Sequence, residues 1–144
     1  MIIPAEHYKK ILEVLPVLCV DIIIRNQNEE CLLIKRVNEP MKGQWWVIGG
    51  RVLKGESLEQ AAKRKVREEV GLEVEKVEPV GYYEDVSGIN PFESATPLHS
   101  VSIVFLTHIQ NEQRITLDYQ SSDWKYSKEL PEFFSFSPFR EVHI

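Results

Sequence analysis

Apolar and polar positions change period several times along this chain, and each change marks an element. In residues 4–15, Tyr8, Ile11, Leu12 and Leu15 recur at the i, i+3, i+4, i+7 spacing of one helix face, which predicts a short amphipathic helix. Pro16 ends it, because the residue before a proline is biased away from helix. Residues 17–24 are nearly all apolar and rich in β-branched side chains, as in a strand buried on both faces. Asn26, Gln27, Asn28 and Glu29 supply a turn, and residues 31–36 return as a second strand. The stretch 38–44, with Pro40 and Gly43, reads as a loop, and residues 45–48 as a short strand running into Gly49 and Gly50. A helix is predicted over 58–70. Two long strands follow over 74–84 and 98–109, around a loop, 85–97, of a length that is often functional in compact domains. A last strand at 124–126 and a closing helix over 128–134 complete the pattern. Strands and helices do not alternate regularly, which predicts an α+β fold: a mixed sheet between helices, in one domain over 1–144.

The helix over 58–70 is the most informative element. Ser57 with Gln60 three residues on predicts a capping box, and Gly71 suits the left-handed position just past its end. Leu58, Ala61, Ala62, Val66 and Val70 form one apolar stripe, and Lys65 and Glu69 fall inside it. Arg64 and Glu68 lie one turn apart beside the stripe, and Glu56 lies just ahead of the helix. A carboxylate on a core-facing stripe is costly unless it is paired or binds a metal. Two readings stay open at this point. Glu69 can pair with Lys65, and Glu68 with Arg64, as ordinary i,i+4 partners. Alternatively, the carboxylates act with Gly49 and Gly50, whose backbone a ligand can approach closely. Carboxylate and carbonyl oxygens are the hard donors that Mg²⁺ or Mn²⁺ prefers.

A length of 144 residues allows one domain with a core of its own. The formal net charge of −5 has the wrong sign for general nucleic-acid binding, so no nucleic-acid partner is expected. A phosphate-ester substrate would need local basic groups or a metal to overcome that field. No apolar run approaches the roughly 20 residues of a membrane span, and the start lacks the basic flank and apolar stretch of a signal peptide. A cytoplasmic protein without a membrane partner is expected. Cys19 and Cys31 sit in apolar, strand-like runs without a CxxC, which predicts two buried thiols in a reducing compartment.

The pattern Gly50-x5-Glu56-x7-Arg64-x-Val66-x-Glu68-Glu69-x-Gly71-Leu72 resembles the Nudix box, and every defined position but one agrees. The resemblance implies a mixed sheet between helices, a Mg²⁺ site on the box helix, and attack by water on a nucleoside diphosphate linked to another group. The departure is Lys65, where the usual box has a glutamate that serves as the base or orients it. Outside the box the chain is similar to the GDP-mannose mannosyl hydrolase branch. The matching stretches are Pro16-Val17-Leu18-Cys19-Val20-Asp21, Lys35-Arg36-Val37-Asn38-Glu39-Pro40, Gly43-Gln44-Trp45-Trp46 and Gly49-Gly50-Arg51-Val52. The likeness covers the first half of the chain well and the rest loosely. That branch is implied to substitute at the sugar carbon, releasing nucleoside diphosphate and free sugar. By position, the resemblance implies that the Gly49 carbonyl, Glu69 and Gln120 hold Mg²⁺, with Glu68 nearby and Glu56 in the same acidic set. It implies that Arg36 and Arg51 contact the diphosphate, as guanidinium forks suit phosphate oxygens. Arg64 belongs to the box's catalytic positions. Asp21 would sit in the site and orient neighbouring groups; as a strand residue it can equally pair with a lysine. Tyr8 and Trp124 are placed near the nucleobase, whereas Trp45, Trp46, Tyr82 and Tyr83 read mostly as core. A homodimer is compatible with the same resemblance.

A second departure is Ser121, which stands next to Gln120 where that branch has a histidine as general base. A serine hydroxyl cannot take a proton near neutral pH, and His99, Asp123 and Glu93 are the candidate substitutes. Three functions follow as alternatives: a nucleotide-sugar hydrolase acting at the sugar carbon, a pyrophosphatase cleaving a phosphoanhydride, and a catalytically silent module that binds a nucleotide metabolite.

Overall fold

The computed structural model describes residues 3–38, 41–92, 96–110 and 113–131. In chain order the elements are α1 (Ala5–Val14), β1 (Val17–Arg25), β2 (Cys31–Arg36), β3 (Trp45–Trp46), β4 (Ile48–Arg51), α2 (Leu58–Val70), β5 (Glu78–Gly88), β6 (Leu98–His108) and β7 (Ser121–Ser127). The strands make one mixed sheet, and the α+β class expected from the sequence holds.

β1 is the centre of that sheet. It runs parallel to β6 along its whole length, from Val17 opposite Ser100 to Arg25 opposite His108, and β6 pairs antiparallel with β5. On its other side β1 meets β2 only at Arg25 and Cys31. The Asn26 side chain closes that turn by accepting the N–H groups of Asn28 and Glu30. Beyond it β1 and β2 splay apart, and the segment 45–51 crosses the gap. Trp45 and Trp46 pair with β2, while Ile48–Arg51 pairs with β1, so that Gly49 lies opposite Asp21 and Arg51 opposite Cys19. β7 covers the far edge of β2.

Because successive strand side chains point to opposite faces, β1 serves two cores. Val20, Ile22 and Ile24 pack with Ala61, Ala62, Val66 and Val70 of α2. Ile23 faces the other way, with Leu33, Trp46, Val47, Tyr83 and Val104. This explains why residues 17–24 show no apolar/polar alternation. Helix α2 starts and stops as the sequence predicts. The Ser57 and Gln60 side chains each accept from the other's backbone N–H, and Gly71 ends the helix at φ 72°.

Several boundaries differ from expectation. β5 begins at Glu78, not 74, because its ladder with β6 starts at Glu78 opposite Leu106. The Lys76 carbonyl ahead of it takes the Thr107 hydroxyl instead of a strand partner. β5 also continues to Gly88, opposite Leu98, which shortens the expected loop. β7 is longer than expected because all of β2 pairs with it. Residues 128–131 are not helical, and the rest of the expected closing helix lies outside the described residues. On α1 only Leu12 is buried; Ile11 and Leu15 are exposed, so the stripe read from its spacing is mostly not core. Cys31 is buried as expected, whereas Cys19 is only partly so; both are free thiols.

Ile22 is fully buried at the junction of β1, β4, β6 and α2. Ile22→Ala is expected to cost about 2–5 kcal/mol, and Ser57→Ala at the α2 cap about 1 kcal/mol, each read as a lowered urea midpoint.

Candidate active site

Where β1 and β2 part, a cavity of about 1260 Å³ opens on the sheet face opposite the α2 core and reaches past β4 to α2 itself. Strand alternation selects its floor: Cys19 and Asp21 from β1, Ser100 and Ser102 from β6, Tyr83 and Asp85 from β5. Arg64, Lys65 and Glu68 line it from α2, and Asp118, Tyr119 and Gln120 from the turn ahead of β7.

Two carboxylates are buried here and are stabilised differently. Asp21 accepts hydrogen bonds from the Tyr83 hydroxyl, from the Ser102 hydroxyl at 2.7 Å and from the Trp46 side chain. Burial holds its carboxyl above the usual range, against these donors. Glu69, 1% exposed, accepts the Gly49 N–H at 3.1 Å and lies 3.5 Å from the Lys65 ammonium. Burial pushes Glu69 up to about 7, and Asp118 adds to this, while Lys65 and the Gly49 N–H act the other way. The two glycines of β4 make both arrangements possible. A Cβ at Gly49 would overlap Asp21 Oδ1 and lie 2.6 Å from the Val20 carbonyl oxygen, and one at Gly50 would lie 2.6 Å from Lys65 Cε.

Arg64 is a brace. Its Nε and Nη2 meet the two oxygens of Glu56 at 3.0 and 2.7 Å, Nη2 also reaches the Arg51 carbonyl at 3.1 Å, and Nη1 reaches Glu68 at 3.1 Å. Glu56 further accepts the Leu53 N–H at 2.7 Å, and its pKa is lowered chiefly by Arg64. Both Glu56 oxygens are thus engaged in holding the loop between β4 and α2. Among the described residues no three acidic, histidine or cysteine side chains converge as a ready metal cage. The oxygen donors linked here by contacts are Glu69 and Glu68, both beside Lys65, with the Gly49 backbone bonded to Glu69 and Asp118 joining Glu69 to Gln120. Asp118 binds the backbone N–H of Gln120 at 2.9 Å and its side-chain amide at 3.2 Å, and its own N–H reaches the Glu69 carbonyl at 3.3 Å. A hard divalent cation fits this set, because Glu69 is a buried carboxylate whose nearest cation stands beyond hydrogen-bond distance.

The opposite charge is also present. Arg36, Lys42, Arg51, Arg64 and Lys65 line the cavity beside Asp21, Glu68, Asp85 and Asp118, so cations that suit a phosphate are at hand despite the net charge of −5. Arg51 lies over the Tyr8 ring, 4.4 Å from its centroid, and Tyr8 meets Phe92 edge to face at 5.8 Å.

Some expected site residues are placed elsewhere. Trp124 does not line the cavity. It pairs opposite Ile34, on the α2 face of the sheet, and its ring packs on Tyr126 at 5.7 Å. Asp123 accepts its neighbour's N–H on exposed β7. His99 alternates away from Leu98 and Ser100 and meets Glu84 at 3.1 Å on the outer face. Ser121 is buried in β7 with a hydroxyl that has no partner among the described residues. Glu93 lies outside the described residues. Conversely, Asp118, Ser102 and Phe92 belong to the cavity and were not singled out by sequence, and Tyr83, read as core and buried, lines it as well. The only sequence signal was that Asp118 lies two residues before Gln120; Tyr83 and Ser102 depend on strand register, and Phe92 on the turn after β5.

A family model described as the NUDIX domain matches residues 15–139. The low-salt glycan biosynthesis protein Agl8 of Haloferax volcanii is 29% identical over 142 residues, covering 99% of this chain and 88% of that one. An ADP-ribose pyrophosphatase of Methanocaldococcus jannaschii is 38% identical over 95 residues, 65% of this chain and 52% of that one. Among solved structures, a MutT protein from Methanosarcina mazei superposes with a TM-score of 0.67 at 25% identity, covering 83% of this chain and 88% of that one. The NUDIX domain of Shewanella oneidensis NrtR, solved with ADP ribose, gives 0.65 at 22% identity over 87% and 83%, a likeness of fold.

Gly49→Ala is expected to destabilise the chain by about 1–3 kcal/mol, because the added methyl meets a backbone carbonyl and a buried carboxylate. Glu69 contributes a pH dependence of known sign. Its folded pKa lies above the ordinary glutamate value of 4.5, so the native state holds the extra proton. In metal-free protein its contribution to stability is complete below 4.5 and is lost as pH rises through about 7. Urea unfolding at a series of pH values is expected to show that slope, and Glu69→Gln to flatten it.

Proposed function

This chain belongs to the Nudix family of hydrolases of nucleoside-diphosphate derivatives, and on that premise we propose that its substrate is a nucleotide sugar of the GDP-mannose kind. In this reading Mg²⁺ or Mn²⁺ is the cofactor, and the products are nucleoside diphosphate and free sugar. The observation that carries it is the pairing, across one cavity, of an oxygen-donor cluster around Glu69 with the guanidinium groups of Arg36 and Arg51. The basic groups match a diphosphate, and of the residues carried over from the mannosyl hydrolase branch Tyr8, Asp21, Arg36, Gly49, Arg51, Arg64, Glu68 and Gln120 line this cavity. The name of the Haloferax relative, a glycan biosynthesis protein, supports a sugar-linked substrate.

Glu69, the Gly49 carbonyl, Glu68 and Gln120 would hold the divalent ion, which when bound neutralises charge growing on the leaving diphosphate. Arg36 and Arg51 grip phosphate oxygens through their planar forks. Arg64, through Glu56 and the Arg51 carbonyl, keeps the end of β4 that carries Arg51 in place. Tyr8 and Phe92, at the cavity mouth beside Arg51, offer the nucleobase an aromatic surface. Asp21 fixes the Tyr83 and Ser102 hydroxyls on the floor, where a sugar's hydroxyls would meet them. Among the described residues no histidine lines the cavity, so the proton of the attacking water passes to a carboxylate.

Cleavage of the phosphoanhydride is the second reading. It is favoured by Glu68 standing beside Glu69 on α2, and by the named activity of the Methanocaldococcus relative. Incubation with GDP-mannose and Mg²⁺ is expected to yield GDP and a reducing sugar. GMP with mannose 1-phosphate would instead establish the second reading, and saturable binding without turnover would reduce the chain to a ligand-binding module. Glu69→Gln is expected to abolish metal-stimulated turnover while circular dichroism shows an intact fold.

A further inference from the structure

Lys65 is the one residue of the box that carries the opposite charge from the residue usually found there, and the structure gives that charge a position. Its side chain is 8% exposed, yet it lines the cavity. The ammonium stands 3.5 Å from Glu69 Oε1 and 3.6 Å from Glu68 Oε2. Both distances exceed the hydrogen-bond range of about 2.7–3.2 Å, so the contacts are Coulombic and do not fix the three N–H donors. The stem reaches this point by crossing β4 at Gly50, where a Cβ would lie 2.6 Å from Cε and 3.1 Å from Nζ. A side chain at position 50 would therefore push the ammonium out.

The remaining charges of this corner decide what the ammonium does. Arg64 neutralises Glu56 and also reaches Glu68 at 3.1 Å, which leaves Glu69, Asp118 and the shared Glu68 as the carboxylates of the corner. A second divalent ion brought to Glu68 and Glu69 would meet a positive charge already standing between them. We propose that Lys65 is a resident second cation. It limits the site to a single divalent ion and presents its ammonium to the phosphate oxygens of the substrate, a charge that a metal would otherwise supply. The inference rests on the metal-dependent reading above and names a binding residue within it.

The test is Mn²⁺ titration, followed by the electron paramagnetic resonance signal of the free ion, together with calorimetric binding of GDP in EDTA. The unaltered chain is expected to bind one Mn²⁺ and to bind GDP without metal. Lys65→Met is expected to bind Mn²⁺ about tenfold more tightly, because a nearby repelling charge is gone, and metal-free GDP about tenfold more weakly. Lys65→Glu is expected to take up two Mn²⁺. Lys65→Arg keeps the charge and, where it folds, is expected to follow the unaltered chain; Lys63→Met, on the exposed side of α2 and paired with Glu59, serves as a control. Two Mn²⁺ bound by the unaltered chain would overturn the inference even if no variant folded. So would Mn²⁺ and GDP affinities that Lys65→Met leaves unchanged, with the metal-dependent reading intact. An unaltered chain that binds no Mn²⁺ would remove both.

Discussion

The rest of the site depends on one buried carboxylate. Glu69 sits where α2 crosses β4, almost without access to water. An uncompensated charge in such a place costs several kcal/mol, so the surroundings have to answer it. The Gly49 N–H answers from β4 and Lys65 from the preceding turn of the same helix. Each answer has a consequence. Lys65 can reach only because position 50 has no side chain, and β4 can lie against β1 only because Gly49 leaves room for Asp21. The two adjacent glycines thus serve opposite faces of one strand, each beside its own buried ionisable group.

Asp21 and Glu69 are separated by a single strand and show two solutions to the same problem. Asp21 is surrounded by neutral donors from three strands, which favours a fixed orientation. Glu69 accepts the Gly49 N–H on one oxygen, and the other is opposed by an ammonium that is near but not hydrogen-bonded, which leaves that oxygen open to another cation. One arrangement suits a positioning group and the other a ligand. Around them Arg36, Lys42 and Arg51 put cations on the cavity wall of a chain whose net charge is −5, where an anionic substrate can meet them.

How much of this was legible depends on the range of the interaction that decides each feature. The ends of α2 were readable because capping links residues three apart, and the Gly71 conformation is a property of that residue. The burial of Lys65 and Glu69 followed from helical spacing alone. The start of β5 was not readable, because it is set by where β6 offers partners. The α1 stripe misled in the same way. Spacing shows that residues share a face, but whether anything covers that face is a tertiary matter, and only Leu12 is covered.

The sequence by itself determined the class of fold, the helix that carries the carboxylates, and the substitution of Lys65 for an acid, since all of these are local in the chain. Tertiary structure decided which side chains meet. Strand register carried Trp124 and His99 away from the cavity and brought Tyr83 and Ser102 toward it, while the turn ahead of β7 brought Asp118. It also assigned Glu56 to Arg64 and placed the ammonium of Lys65 between two glutamates. A shift of one residue in a strand reverses the face of every side chain on it. Register is fixed by partners distant in the sequence, and so is the membership of the site.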